Sequence, residues 1–411
     1  MSLARRLSLL CALSGIMAVG ALGGGFQLNE HGARAMAQAG AFAARASDAS
    51  AMYFNPAGLA FQDRPSFYGG LTAIIPTTSF YGPLQENTNM KTEAPAQFFT
   101  PINFYFAYPA LEDLHMGVSV NNPFGLGSEW PDNWVGRYIT TKVNIQTFFF
   151  NYSIAYKVMD NLSVGGGFSY VLGAVTLDRA VPIPLQPAGN AGDPYVHLDL
   201  SGTGAGWNLG VLYKMTPDIS IGASYRSSVA IDANGTSAFD PNYAPLHLPQ
   251  GGVSVSLELP ATGYLGVAYK VNDDIEVEAD YQYIGWSSYN QLAFKFQADG
   301  STVTQPKNYH NTYILRLGGE YKYNDDLRLR AGYYYDHSPV DAAYVDPLLP
   351  DANRSGLNIG FGYNITKQFN VDVAYLFILF DERKAENTVI DFDGTYHTRV
   401  NLIGVDLGYT F

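Results

Sequence analysis

Along most of the chain, apolar and polar residues alternate with a period of two. At the C-terminus Ile403, Val405, Leu407, Tyr409 and Phe411 fall on one face of an extended segment, and Gly404, Asp406, Gly408 and Thr410 on the other. Ile275, Val277, Ala279, Tyr281 and Tyr283 alternate in the same way with Glu276, Glu278, Asp280 and Gln282. Leu327, Leu329, Ala331, Tyr333 and Tyr335 alternate with Arg328, Arg330, Gly332 and Tyr334. Successive side chains of a strand point to opposite faces, so each segment predicts a strand with one apolar face. In a soluble sandwich that face would line a core. In a transmembrane barrel it would meet lipid, and the polar face would line the lumen. Period alone does not separate the two.

The connections do. Six short turns of similar composition punctuate the chain: Tyr108 to Leu114, Tyr156 to Leu162, Tyr213 to Ile219, Tyr269 to Ile275, Tyr321 to Leu327 and Tyr363 to Phe369. Asp and Asn suit tight turns, and a flanking Tyr suits a membrane–water boundary. Between these turns lie longer segments rich in Pro, Gly and Asn: residues 79–97, 121–141, 179–194, 233–250, 297–308 and 338–353. Short turns on one side and long loops on the other is the outer-membrane pattern. Six turns join twelve strands, and one further strand at each end makes fourteen. The expected fold is all-β, a fourteen-stranded antiparallel transmembrane β-barrel over residues 66–411 with both strand termini on the short-turn side.

The first residues read differently. Arg5 and Arg6 precede an uncharged apolar run, Leu7 to Leu22, with small residues at Gly20, Ala21, Gly23 and Gly24. This predicts a secretory signal peptide over residues 1–23, which contains the single cysteine, Cys11. The exported chain is then expected to use neither disulfides nor thiol chemistry. A mean hydropathy of −0.05 excludes a polytopic helical membrane protein. With 30 Tyr and 24 Phe the chain is not disordered. With 24 basic against 37 acidic residues it is a poor nucleic-acid binder, so no nucleic-acid partner is expected.

Residues 24–65 form the remaining unit. Residues 31–61 lack strand alternation, and His31 to Ala46 is rich in alanine, which predicts short helices. Asn55-Pro56 is a helix start, with Asn as N-cap and Pro at the first helical position. So apolar a segment suits a hatch folded into the lumen; a periplasmic extension is the alternative.

Gly25-Phe26-Gln27-Leu28-Asn29-Glu30, Asn55-Pro56-Ala57 and Asp63-Arg64-Pro65 resemble the FadL family of outer-membrane long-chain fatty acid transporters, to which TodX-type hydrocarbon channels also belong. The resemblance continues through Asn122 to Glu129, Tyr225-Arg226-Ser227, Asp336 to Val340 and the terminal strand. It implies a barrel closed by a partly helical N-terminal hatch, located in the outer membrane of a Gram-negative bacterium. It also implies passive uptake of long-chain fatty acids or other hydrophobic molecules, with aromatic or aliphatic hydrocarbons as the alternative cargo. Outer-membrane lipid, lipopolysaccharide and the barrel-assembly machinery are the implied partners.

The same resemblance assigns residues. Phe26 and Leu28 match the hatch N-terminus, Asn55, Pro56 and Ala57 count with them as hatch or gating residues, and residues 121–127, with Gly125, match an inward kink of the third strand that opens a lateral exit. Pro123, Gly125 and Gly127 would interrupt strand pairing there; an ordinary Gly/Pro loop is the alternative. The loop residues Phe124, Leu126, Trp130, Trp134 and Tyr138 match an outer hydrophobic capture groove, unless the loop packs its aromatics on one another. Arg179 matches a carboxylate-binding arginine. The corresponding lysine falls strictly at Gln305, and Lys307 supplies the charge only with a small gap; Arg137 is a further candidate. If Lys307 points elsewhere, a neutral hydrocarbon is favoured over a carboxylate.

Physically, a dry pocket suits such cargo. Burying a tail of ~16 carbons contributes up to ~12 kcal/mol before entropy losses. Other chemistry finds little support in the sequence. Asp336-His337-Ser338 are adjacent on a strand and point to opposite faces, so they do not make a triad. The seven His lack metal-ligand spacing. Gly165-Gly166-Gly167 sits on a strand rather than before a helix, so it is no phosphate loop and is expected to let the wall bend or approach the hatch. No catalytic residue, cofactor or metal is expected. A general porin and an outer-membrane lipase or protease are the competing classes.

Overall fold

In the computed structural model, residues 24–83, 90–182, 193–239 and 250–411 are described. The expected signal peptide with Cys11 lies outside them, as do parts of the expected loops 79–97, 179–194 and 233–250. Among the described residues fourteen antiparallel strands close into a barrel. They are β1 (Ser66–Tyr81), β2 (Ile102–Pro109), β3 (Leu114–Asn121), β4 (Lys142–Met159), β5 (Leu162–Ala180), β6 (Tyr195–Lys214), β7 (Ile219–Arg226), β8 (Thr262–Lys270), β9 (Ile275–Ile284), β10 (Thr312–Lys322), β11 (Leu327–Asp336), β12 (Arg354–Asn364), β13 (Phe369–Phe380) and β14 (Phe392–Thr410). Each pairs with its neighbour in this order. β1 then pairs with β14 from Ser66↔Thr410 to Tyr81↔Thr395, which removes the sheet edge.

The two faces settle sandwich against barrel. On β9 the polar residues Glu278, Asp280 and Gln282 are buried, while Ala279, Tyr281 and Tyr283 are exposed. Leu265 and Val267 on β8, Leu315 and Leu317 on β10, Leu357 and Ile359 on β12, and Ile403 and Val405 on β14 also face outward. An apolar skin around a polar interior fits lipid, not water. No helix among the described residues is long and apolar enough to cross a membrane.

The short turns are built by their own side chains. Asn272 Oδ1 accepts from the Asp274 and Ile275 amides, both at 2.9 Å, and Asn324 Oδ1 from the Asp326 (2.9 Å) and Leu327 (2.7 Å) amides. Thr216 and Thr366 do the same through hydroxyls. Tyr108, Tyr156, Tyr213, Tyr269, Tyr321 and Tyr363 ring this end as exposed side chains.

At the opposite, loop end the wall continues past the belt. Val229–Phe239 pairs with Gly251–Leu259, and Gln291–Phe296 with Thr302–Pro306. Segments expected to be loops, 233–250 and 297–308, thus carry strands among their described residues. Their alternation is inverted: Val229, Ile231, Ala233, Val253, Val255 and Leu257 are buried. The inner surface changes along single strands too. On β5 the inward residues run Ser163, Gly165, Gly167 and Ser169, then Val171, Val175 and Leu177; on β14 they run Asp406 and Gly404, then Leu402 and Val400. The lumen therefore has a small, polar half near the turns and an apolar half near the loops.

Residues 24–62 occupy this lumen. α1 (Ala33–Met36) and α2 (Ala51–Phe54) have four residues each, and a 3-10 helix spans Pro56–Phe61. The Asn55 side chain caps the latter by accepting from the Ala57 amide at 3.2 Å, as the Asn-Pro pair predicts. The alanine-rich stretch is not a continuous helix, because Ala39 (φ 60°) and Ala46 (φ 38°) interrupt it. Its alanines serve close approach instead. A Cβ added to Gly222 would lie 2.0 Å from the Ala43 carbonyl oxygen, and one on Gly318 2.3 Å from that of Gln38. One on Gly165 would lie 2.6 Å from the Ala57 nitrogen, so that part of the glycine triplet is where the wall meets the segment.

Candidate functional site

The inward polar residues near the turns hold the backbone of this segment. Asp280 accepts from the Phe42 (3.0 Å) and Ala43 (3.1 Å) amides, and Glu278 from those of Ala44 (2.6 Å) and Arg45 (3.2 Å). Arg316 donates to the Ala39 carbonyl at 2.7 Å and to Asn29 Oδ1 at 2.8 Å, and Asp406 accepts from the Ala33 amide. Buried amides that donate to carboxyl oxygens are costly to leave unpaired in a dry interior. The polar lumen face expected from the alternation is thus occupied by protein.

Towards the loops, the chain start forms a short strand of its own. Gln27 bridges Phe124 in antiparallel fashion, the Leu28 amide donates to the Pro123 carbonyl at 2.8 Å, and the Gly125 amide to that of Phe26 at 2.9 Å. Its partner is an inward excursion of the wall. β3 pairs with β4 up to Asn121↔Phe149, and pairing resumes only at Gly125↔Gln146. Between them Pro123 has no amide hydrogen to give, and the Asn122 side chain replaces the ladder, accepting from the Ile102 amide at 2.9 Å and donating to the Thr147 carbonyl at 2.6 Å. The segment Gly125–Glu129 faces residues 96–99 across a cleft of about 190 Å³. Gly127 and Ser128 line this cleft and also a smaller cavity of about 50 Å³ that reaches Leu126, Leu348 and Phe380.

Phe26 anchors an aromatic cluster. Its ring lies 4.8 Å from Trp286, 5.2 Å from Tyr289 and 6.1 Å from Phe124, and Tyr309 completes the group at 5.0 Å from Tyr289. The chain start below it is tied down as well. The Gly24 amide donates to Asp336 Oδ2 at 2.7 Å and the Gly25 amide to Asp351 Oδ2 at 3.4 Å, while Arg354 pairs with both carboxylates at 3.1 Å. Ser338 donates to Asp351 at 2.6 Å, and His337 stacks on Tyr313. Asp336, His337 and Ser338 thus have separate partners. Sequence reasoning passed over Asp351 and Arg354; the signal available was an Arg three residues after an Asp, both in a segment that otherwise reads as loop.

The remaining expected residues are placed as follows. Trp130 and Trp134 stack at 4.4 Å, are 3% exposed, and donate through their indoles to the Pro347 and Thr140 carbonyls. Trp134 also meets Phe80, so these described loop aromatics pack on one another. Leu126 is buried in the same apolar core. Arg179 donates to the Tyr138 carbonyl at 3.5 Å, and no carboxylate pairs with it among the described residues. Arg137 is paired with Asp193 at 2.9 Å. Lys307 pairs with Asp346 at 2.7 Å, with side chains 6% and 14% exposed. Burial pulls the Lys307 ammonium down, but the adjoining carboxylate outweighs it and its pKa rises. Burial pushes the neighbouring Tyr289 phenol up to about 12. Gln305 lies on the wall segment Thr302–Pro306 opposite Leu292. Among the described residues no cluster of three or more His, Cys, Asp or Glu could hold a metal.

Comparison with known proteins agrees with this architecture. The family model described as outer membrane protein transport protein (OMPP1/FadL/TodX) matches residues 14–411. A long-chain fatty acid transport protein of Escherichia coli O6:H1 is 28% identical over 383 residues, 85% of each chain. The crystal structure of a Pseudomonas aeruginosa FadL homologue superposes with a TM-score of 0.86 at 22% identity, covering 94% of this chain and all of the other. The toluene transporter TodX of P. putida superposes with a TM-score of 0.73 at 19% identity, over 95% of this chain and 99% of its own. The chain therefore belongs to the OMPP1/FadL/TodX family of outer-membrane transport proteins for hydrophobic molecules.

Proposed function

We propose that residues 24–65 act as a hatch in a passive uptake channel for long-chain fatty acids or hydrocarbons, and that residues 66–411 form its barrel. Cargo enters the apolar half of the lumen from the loop side, among Phe26, Phe124, Leu126 and the aromatics around Trp286. Trp130 and Trp134 line its approach once the loop opens. The single observation that carries this reading is the backbone pairing of residues 26–28 with residues 123–125. A ligand that inserts among the rings displaces Phe26, which breaks two hydrogen bonds to the wall excursion. The cleft beside Gly127 then gives a sideways path into the membrane. Asn55, Pro56 and Ala57 keep the 3-10 helix seated against the wall, and Gly125 permits the excursion. No bond is made or broken in the cargo, because Asp336 and Ser338 are engaged in holding the chain start. The signal peptide delivers the chain to the barrel-assembly machinery, and lipopolysaccharide surrounds the finished loop end.

A reversible lock tests this. Gln27→Cys with Phe124→Cys places two thiols at a bridged antiparallel pair, where Cα separations suit a disulfide. The expected outcome is that oxidation lowers uptake of labelled oleate and dodecane at least about tenfold and that reductant restores it. Unchanged uptake in the oxidised protein would count against the hatch.

A further inference from the structure

We infer that Asp346 withholds Lys307 from a ligand carboxylate, so that the apolar half of the lumen selects neutral hydrophobic molecules, such as alkanes, aromatic hydrocarbons and esters, over fatty-acid anions. The inference rests on the uptake function proposed above. Lys307 is the cation that follows Gln305, and its ammonium lies against Asp346 at 2.7 Å. Asp346 is not a loose partner. Its other oxygen accepts from the Leu348 amide at 3.0 Å and the Leu349 amide at 3.4 Å. The Lys307 amide is fixed to the Asn290 carbonyl at 2.8 Å. Tyr289 and Tyr309 stand beside the pair and are themselves buried, so water is largely excluded.

A fatty-acid carboxylate that seeks Lys307 must therefore displace Asp346. Two carboxylates would then share one ammonium in a dry site, an arrangement that strongly disfavours one of the charges. A neutral ligand needs no such exchange. Among the described residues, the arginines at this end that are not exposed are engaged. Arg137 is paired with Asp193, and Arg354 with Asp336 and Asp351. Arg179 and Arg383 donate to the Tyr138 and Val340 carbonyls, which leaves these two as the competitors to test.

The test is equilibrium binding of labelled oleate and methyl oleate to the full-length protein in detergent near pH ~8, where the free acid is ionised. Correct folding of each variant is checked by heat-modifiable gel mobility, with Asp346→Ser as a second replacement. Wild type is expected to bind the ester at least about tenfold tighter than the acid. Asp346→Asn is expected to raise acid affinity about tenfold while moving the ester less than about twofold, and Asp346→Asn with Lys307→Met to abolish that gain. The inference is overturned if wild type binds the acid as tightly as the ester, or if Asp346→Asn leaves the ratio unchanged. It is also overturned if Arg179→Met or Arg383→Met moves the wild-type ratio by more than about twofold, which would give head-group reading to that guanidinium. Binding of both ligands without the expected ratios leaves the uptake function standing; binding of neither removes that function and the inference with it.

Discussion

The two halves of the lumen are walled by the same strands and filled in opposite ways. Near the turns, glycines and inward carboxylates receive the backbone of residues 33–57, with Asp280 and Glu278 binding four consecutive amides. Near the loops, Gly24 and Gly25 are again tied to carboxylates, but residues 26–28 are held to the wall excursion by two backbone bonds and by ring contacts of Phe26. Hydrogen bonds from amides to carboxyl oxygens are directional and have no substitute in a hydrophobic ligand. Ring contacts are replaceable, because an alkyl chain can take over the apolar surface that Phe26 covers. The segment is thus anchored along residues 33–57 and yields at residues 26–28.

The largest effect is expected from breaking the anchored half sterically. Gly222→Leu sets a side chain into the Ala43 carbonyl and should cost about 3 kcal/mol or more, because the neighbour is backbone and cannot give way. The strand ladder does not depend on it, so the barrel should still form while residues 33–57 become open to protease. Gly263→Ala, whose nearest neighbour would be 3.8 Å away, serves as the silent control. Protease resistance retained in Gly222→Leu would mean that the close contact is not needed. A smaller effect is expected in the yielding half. Phe26→Ala removes three edge-to-face contacts and should loosen the pairing at residues 123–125 by about 2 kcal/mol, roughly thirtyfold faster exchange of the Leu28 and Gly125 amides. Exchange at Phe42 and Ala43 should stay as it was; a change there too would erase the distinction between the halves.

What could be read from the sequence follows the range of the interactions involved. The barrel strands were legible because period-two alternation is local and one face meets lipid. The turns were legible because Asn272, Asn324, Thr216 and Thr366 bond amides two and three residues on. The strands at 229–239 and 251–259 were not placed, although Val253, Val255 and Leu257 alternate with Ser254, Ser256 and Glu258, because a local period cannot say that the apolar face turns inward beyond the lipid. The alanines of 33–46 suggested helix propensity, whereas their small size serves contact with wall glycines distant in sequence. Asn55-Pro56 was read from a local cap and found as such. The partners of Lys307, Arg137 and Asp336 lie 39, 56 and 312 residues away, and no spacing rule reaches that far.

The most direct measurement is amide hydrogen exchange of the protein in detergent, with and without saturating dodecane, read at both halves of the segment. The account predicts that ligand speeds exchange at Leu28 and Gly125 by at least about tenfold while Phe42, Ala43 and Ala44 stay protected. Protection at Leu28 and Gly125 that holds or increases with ligand, or loss of protection in both halves together, would contradict it.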